Sequence, residues 1–148
     1  MEDVKIEIKK KKSFLYRYRN NKLRLERLEK KLPLLEDRLT SLRATNLSGM
    51  PRGGVPVTMD DLLNDIDLLK ERIRKLKIKC DEIKREIIDE IDNLEDTRYS
   101  EVLEMYFIER LSFEDISDEL GYTERHIKRL YARAINKLVE ISKDILTT

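Results

Sequence analysis

The sequence predicts an all-α protein: a long antiparallel helical hairpin of coiled-coil type, followed by a small domain of short helices. Three observations lead there. Charged residues make up 41% of the chain while Gly and Pro are scarce, whereas an ordinary globular chain is about a quarter charged. Two separate stretches repeat apolar residues at alternating steps of three and four, the period of a helix that buries one narrow seam. Beyond them the rhythm tightens into shorter helical pieces marked by capping residues and a glycine. With 148 residues, the chain has room for one ordinary domain, or for a small domain carrying an extended appendage.

The first arm is carried by Phe14, Tyr18, Leu25, Leu28, Leu32, Leu35, Leu39 and Leu42, with polar Asn21 at the one skipped place. Pro33 falls inside it and removes a backbone donor. The apolar frame crosses Pro33 without a change of phase, so a kink is expected rather than a break. The segment ATNLSGMPRGGVPVT, residues 44–58, holds three of the four glycines and two of the three prolines and reads as a loop. Thr58 followed by Asp60 and Asp61 is a good helix start. The second arm then runs through Met59, Leu62, Ile66, Leu69, Ile73, Leu76, Cys80, Ile83 and Ile87.

One antiparallel register satisfies both arms. Leu42 opposes Met59, Leu39 meets Leu62, and the pairing continues to Phe14 opposite Ile87. The next layer places Lys11 against Glu90. Charge agrees with this reading: residues 5–31 carry twelve basic and three acidic side chains, while residues 86–96 carry six acidic and no basic ones. A parallel homodimer of either arm is the alternative, because heptads alone set neither orientation nor stoichiometry. The domain organisation expected is a hairpin over 1–96, with its loop at 44–58, and a second domain over 97–148.

That second domain opens with TRYSEVLEMYFIERL, whose Val102, Leu103, Tyr106 and Phe107 share a buried side. Ser112 and Asp115 then form a near capping box before FEDISDEL. Gly121 supplies a turn that needs a positive backbone angle. Thr123 caps a last helix, ERHIKRLYARAINKLVEI. Ile116 and Leu120 before the turn, small Ser117 at the crossing, Tyr122 plugging the corner, and Ile127 and Leu130 after it have the spacing of a helix-turn-helix. With Ile127, Leu130, Ala134 and Leu138 turned inward, the outward face of the last helix holds Glu124, Arg125, His126, Lys128, Arg129, Arg133 and Lys137. Over residues 123–143 there are six Lys or Arg against two Glu, whereas the preceding helix carries Glu114, Asp115, Asp118 and Glu119 unopposed. Such asymmetry turns the basic helix toward phosphate and the acidic one away.

The stretch LEMYFIERLSFEDISDELGYTERHIKRLYARAINKL resembles region 4 of bacterial sigma factors, the part that reads the promoter's −35 element. Glu114, Ile116, Leu120, Gly121, Thr123, Ile127, Lys128, Arg133, Ala134 and Leu138 follow that pattern, while Leu130 stands where sigma factors often have a basic residue. With its heptad arms and SGMPRGG loop, the whole chain resembles the ArpU/RinA-type phage transcriptional regulators of Gram-positive bacteria. The resemblance implies a DNA-binding regulator that activates late or packaging genes of prophages. No counterpart of sigma region 2 is visible, so the expected role is an activator or a sigma-like adaptor.

The expected DNA-contacting residues are Thr123, Glu124, Arg125, His126, Lys128, Arg129, Arg133 and Lys137. Arg125, Lys128 and Arg129 lead them, as guanidinium forks grip guanine and ammonium groups neutralise phosphate. Double-stranded DNA is the expected partner, with RNA polymerase and a second copy of the chain as further ones. The alternative, of another class, is an interaction protein that grips polymerase or a sigma factor without reading DNA sequence. No catalytic constellation is expected, and one Cys with one His cannot assemble a protein-only zinc site, so neither metal nor cofactor is expected. The basic start MEDVKIEIKKKK is followed by no apolar core and no run is long enough to cross a bilayer, so a cytoplasmic location without membrane attachment is the expectation.

Overall fold

The structure is a computed structural model in which residues 2–48 and 58–147 are described. It contains five α-helices: α1 (Glu2–Ser48), α2 (Met59–Ile91), α3 (Thr97–Phe107), α4 (Phe113–Leu120) and α5 (Glu124–Thr147). No strand occurs among the described residues. The chain divides into two compact units, Asn21–Lys79 on one hand and Met1–Asn20 with Cys80–Thr148 on the other.

The Asn21–Lys79 unit is an antiparallel pair of helices. Leu39 and Leu42 of α1 share a buried cluster with Leu62 and Ile66 of α2, and Leu32, Leu35 and Met59 pack against it. Leu25, Leu28, Leu69 and Ile73 are buried along the same seam. Full burial of each such side chain contributes about 1.5–3 kcal/mol relative to exposure. Pro33 lies inside α1 and does not end it. The ring deletes one backbone donor, but the leucines before and after it keep the same buried face, and that packing offsets the lost bond. The helix also continues further than the loop expected over 44–58. Ala44–Ser48 belong to α1, and Thr45 donates its hydroxyl to the Ser41 carbonyl at 2.9 Å. Nothing in ATNLS forces the backbone out of the helix; the first breaker is Gly49, and residues 49–57 lie outside the described ones. At the start of α2 the Thr58 hydroxyl accepts from the Asp61 N–H at 3.1 Å, and Asp60 and Asp61 occupy the first turn, where the helix dipole favours negative charge.

The other unit joins the beginning of α1, the end of α2 and the three shorter helices. Lys11 forms an ion pair with Glu90, as the heptad register requires, and Arg17 pairs with Glu86 at 2.9 Å. One heptad position is corrected. Leu15 is fully buried while Phe14, the expected core residue, is only half-buried. A straight helix drifts by about 20° per heptad from a strict seven-residue repeat, and this end of α1 packs against α3 and α5 as well as α2.

The contact with α3 and α5 is largely aromatic. The Tyr16 ring lies edge-on to Phe107 at 5.0 Å and to Tyr106 at 6.0 Å, with the Tyr16 and Tyr106 hydroxyls hydrogen-bonded at 2.6 Å. Tyr106 stacks on Phe113 at 4.8 Å and meets Tyr131 edge-on at 5.1 Å. Arg19 and Lys12 cover this cluster, over Tyr106 at 4.7 Å and over Tyr131 at 5.8 Å respectively. Burial pushes the phenols of Tyr131 and Tyr16 above their ordinary range. Lys11 also donates to the Ser142 hydroxyl at 2.9 Å, which ties the first turns of α1 to the last part of α5.

Candidate nucleic-acid interface

Three short helices build the surface in question, and each starts and stops for a local reason. Asp96 caps α3 by accepting from the Arg98 N–H. The Arg98 guanidinium beside it holds the Asp96 carboxyl below the usual carboxylate range. The α4 helix opens on a complete capping box: the Ser112 hydroxyl accepts from the Asp115 N–H at 3.1 Å, and the Asp115 carboxylate accepts from the Ser112 N–H at 3.4 Å. It closes at Gly121, which sits in the left-handed region at φ 73° and donates its N–H to the Ser117 carbonyl at 2.9 Å. Ser117, at the crossing, donates its hydroxyl to the Tyr122 carbonyl and so clamps the turn. Thr123 then caps α5, its hydroxyl accepting from the His126 N–H at 3.1 Å.

The helices are held at their crossing angle by one core. Val102, Ile116, Ile127 and Leu130 form its buried cluster, with Tyr99, Met105, Tyr106, Leu111, Phe113, Leu120 and Tyr131 packed against it. Leu130, at a position where sigma factors often carry a basic residue, is 1% exposed. Here that position faces inward and demands an apolar side chain. Ala134, Ile135, Leu138 and Val139 continue the buried side of α5.

What remains outward is a basic stripe. Thr123, Glu124, Arg125, Lys128, Arg129, Arg133 and Lys137 are all exposed, and His126 is half-buried. His126 lies edge-on against the Tyr122 ring at 4.8 Å. Tyr122 is 38% exposed, so it does not plug the corner as expected. The Ser117 clamp and Leu120 close the turn, and the tyrosine ring stays outside against the first turn of α5.

The cations differ in how they are engaged. Lys128 pairs with Glu124 at 3.7 Å and Lys137 with Glu140 at 3.4 Å, both between exposed groups. Arg125, Arg129 and Arg133 have no ion-pair partner among the described residues. Spaced four residues apart, these three lie along one slanting stripe of the helix. On α4 the acidic residues Glu114, Asp115, Asp118 and Glu119 are likewise exposed. The positive helix follows the turn and the negative one precedes it.

Residues 96–140 match the family model of sigma-70, region 4. The match takes in α3, α4 and most of α5 and leaves the hairpin outside. These helices are therefore a sigma region 4-like helix-turn-helix, a DNA-binding type of domain. No curated protein and no solved structure gives a match. No described helix is long and apolar enough to cross a membrane.

The aromatic contact between the start of α1 and this domain was not anticipated from the sequence. A signal for it exists: all six tyrosines and three phenylalanines lie within residues 14–18 or 99–131. Two distant stretches that share every aromatic ring of a chain are candidates to pack together.

Proposed function

We propose that the protein is a DNA-binding transcriptional regulator, an activator of phage or prophage late genes, that reads promoter DNA through α5 as recognition helix. Residues 97–148 are the DNA-binding part in this reading. The observation that carries it is the exposed stripe Arg125, Arg129 and Arg133, without an ion-pair partner among the described residues, on the second helix of a sigma region 4-like helix-turn-helix.

In this reading the first turns of α5 enter the major groove. Arg125 and Arg129 reach base edges, where a bidentate contact to guanine O6 and N7 gives sequence discrimination. Arg133 and Lys137, further along, bind phosphate and fix the register. Lys128 is held by Glu124 in the free protein and exchanges that weak exposed pair for phosphate on binding. Thr123 keeps its capping bond and offers its remaining lone pair or proton to the backbone. The acidic face of α4 is directed away from DNA. RNA polymerase is the partner through which bound protein would activate transcription, and the bacterial host cytoplasm is where it would act.

The test begins with fragments of the cognate phage genome selected for binding to the purified chain. At the selected site, Arg125→Ala and Arg129→Ala should each cost about 1–3 kcal/mol and relax base preference at one position. Arg133→Ala should weaken all fragments alike and lower the salt slope by about one. Unchanged affinity in both of the first two variants would remove DNA reading from this face. Co-purification with polymerase, together with no shift of any fragment at low salt, would favour the non-reading interaction protein instead.

A further inference from the structure

The Asn21–Lys79 hairpin carries a feature that DNA reading by α5 does not use. Leu34 on α1 is 62% exposed and Leu68 on α2 is 58% exposed. Each directly precedes an inward leucine, Leu35 and Leu69, and the four together line a groove of about 670 Å³. A single exposed leucine is ordinary. Two that converge from opposite helices on one groove are not, and the equivalent positions a heptad away are Arg27 and Ser41 on α1 and Asp61 and Lys75 on α2. Along those positions the apolar strip is therefore confined to one place; Leu23, Leu63 and Ile78, also exposed on the hairpin, stand at other heptad positions.

The rim of that groove is cationic. Lys31, Arg38, Arg72 and Lys75 border it, against Asp65 and Glu71. Glu71 is already engaged by Arg74 at 2.6 Å and by Lys75 at 3.9 Å, and the guanidinium bonds hold its carboxyl below the usual range. Lys31, Arg38 and Arg72 have no ion-pair partner among the described residues. A second copy seated on this face by a two-fold axis would set the same patch against itself, cation against cation. An apolar stripe flanked by carboxylates would instead fill the groove and neutralise its rim.

We propose that this groove is a docking site for an acidic amphipathic helix of a partner protein. Its apolar side chains, at helical spacing, seat on Leu34, Leu35, Leu68 and Leu69, and its flanking carboxylates pair with Lys31, Arg38 and Arg72. The inference stands on the hairpin alone and does not depend on DNA reading by α5.

The test uses the full chain and a labelled helical peptide with leucines at i, i+4 and i+7 flanked by glutamates, beside a control with lysines in place of the glutamates. Fluorescence anisotropy at low salt should show the acidic peptide binding roughly tenfold or more tighter than the basic one. Leu34→Glu combined with Leu68→Glu should abolish binding, and the milder Leu34→Gln with Leu68→Gln should weaken it, with helicity by circular dichroism and DNA affinity retained. Arg38→Glu with Arg72→Glu should reverse the preference between the two peptides. Equal affinity for both peptides, no saturable binding, or binding indifferent to Leu34 and Leu68 would overturn the proposal. So would sedimentation showing self-association of the chain that the leucine variants abolish, because the groove would then belong to a second copy.

Discussion

Gly121 offers a perturbation whose cost follows from geometry alone. The residue closes α4 at φ 73° and ψ 23°, and a Cβ added there meets nothing within 4 Å. Gly121→Ala therefore adds no clash, and only the local backbone preference is at stake. Holding an L-residue in the left-handed region costs about 1–2 kcal/mol. Alanine also stiffens the unfolded chain, which returns about 0.4–1 kcal/mol. The net loss should lie between about 0 and about 1.6 kcal/mol, and Gly121→Asn should lose less, since asparagine tolerates this region better than alanine. Urea unfolding followed by circular dichroism measures both. A loss of about 3 kcal/mol or more would mean that neighbours do close on the added methyl. A gain in stability would mean that the turn is not left-handed, and asparagine faring worse than alanine would refute the backbone explanation outright.

Three further outcomes are expected. Leu15→Ala should destabilise the unit formed by Met1–Asn20 and Cys80–Thr148 by about 2–5 kcal/mol, and half-buried Phe14→Ala should cost clearly less; the reverse order in thermal unfolding would restore the uncorrected heptad. The raised phenols of Tyr131 and Tyr16 stabilise the fold fully below the ordinary tyrosine value of 10.0 and progressively less as pH rises above it, because the unfolded chain ionises first. Alkaline titration of unfolding should show that loss, and Tyr131→Phe should flatten it; an unchanged profile would place the ionisation elsewhere. Finally, with Cys80 replaced by Ala, cysteines introduced at Leu28 and Ile73 should crosslink within one chain, and crosslinks found only between chains would contradict a hairpin closed on itself.

How much was legible in the sequence depended on how local the cause was. The heptads of Leu25 to Leu42 and of Met59 to Ile73 translate directly into buried seams, because a seven-residue period has no other economical use. Ser112, Gly121 and Thr123 act within a few residues of themselves, and each occupies the role that its chemistry suggests. Leu15 could not be told from Phe14 by period alone, since the start of α1 also packs on helices from far along the chain, through Tyr16 on Tyr106 and Phe107 and through Lys11 on Ser142. Tyr122 departs from its expected place because an aromatic beside a turn can pack inward or lie along the next helix, and the Ser117 hydroxyl already occupies the turn. Of the site, the exposed face of α5 followed from subtracting its apolar positions. The four-residue spacing of Glu124 and Lys128 was a sequence signal for the pairing of Lys128, whereas the absence of an ion-pair partner for Arg125, Arg129 and Arg133 among the described residues came from the structure.

The bond from Lys11 to Ser142 spans 131 residues, and this separation bears on how the molecule assembles. The first turns of α1 are made well before Tyr106 and Phe107, the aromatic residues that pack on Tyr16, so Tyr16 must wait until α3 has been synthesised. Closing so long a loop is entropically slow when the chain between is unstructured. The intervening Asn21–Lys79 stretch is a helical pair of its own, and an antiparallel pair brings its two ends to the same side. Once formed, it shortens the search between the chain's extremities from a long coil to a short closure.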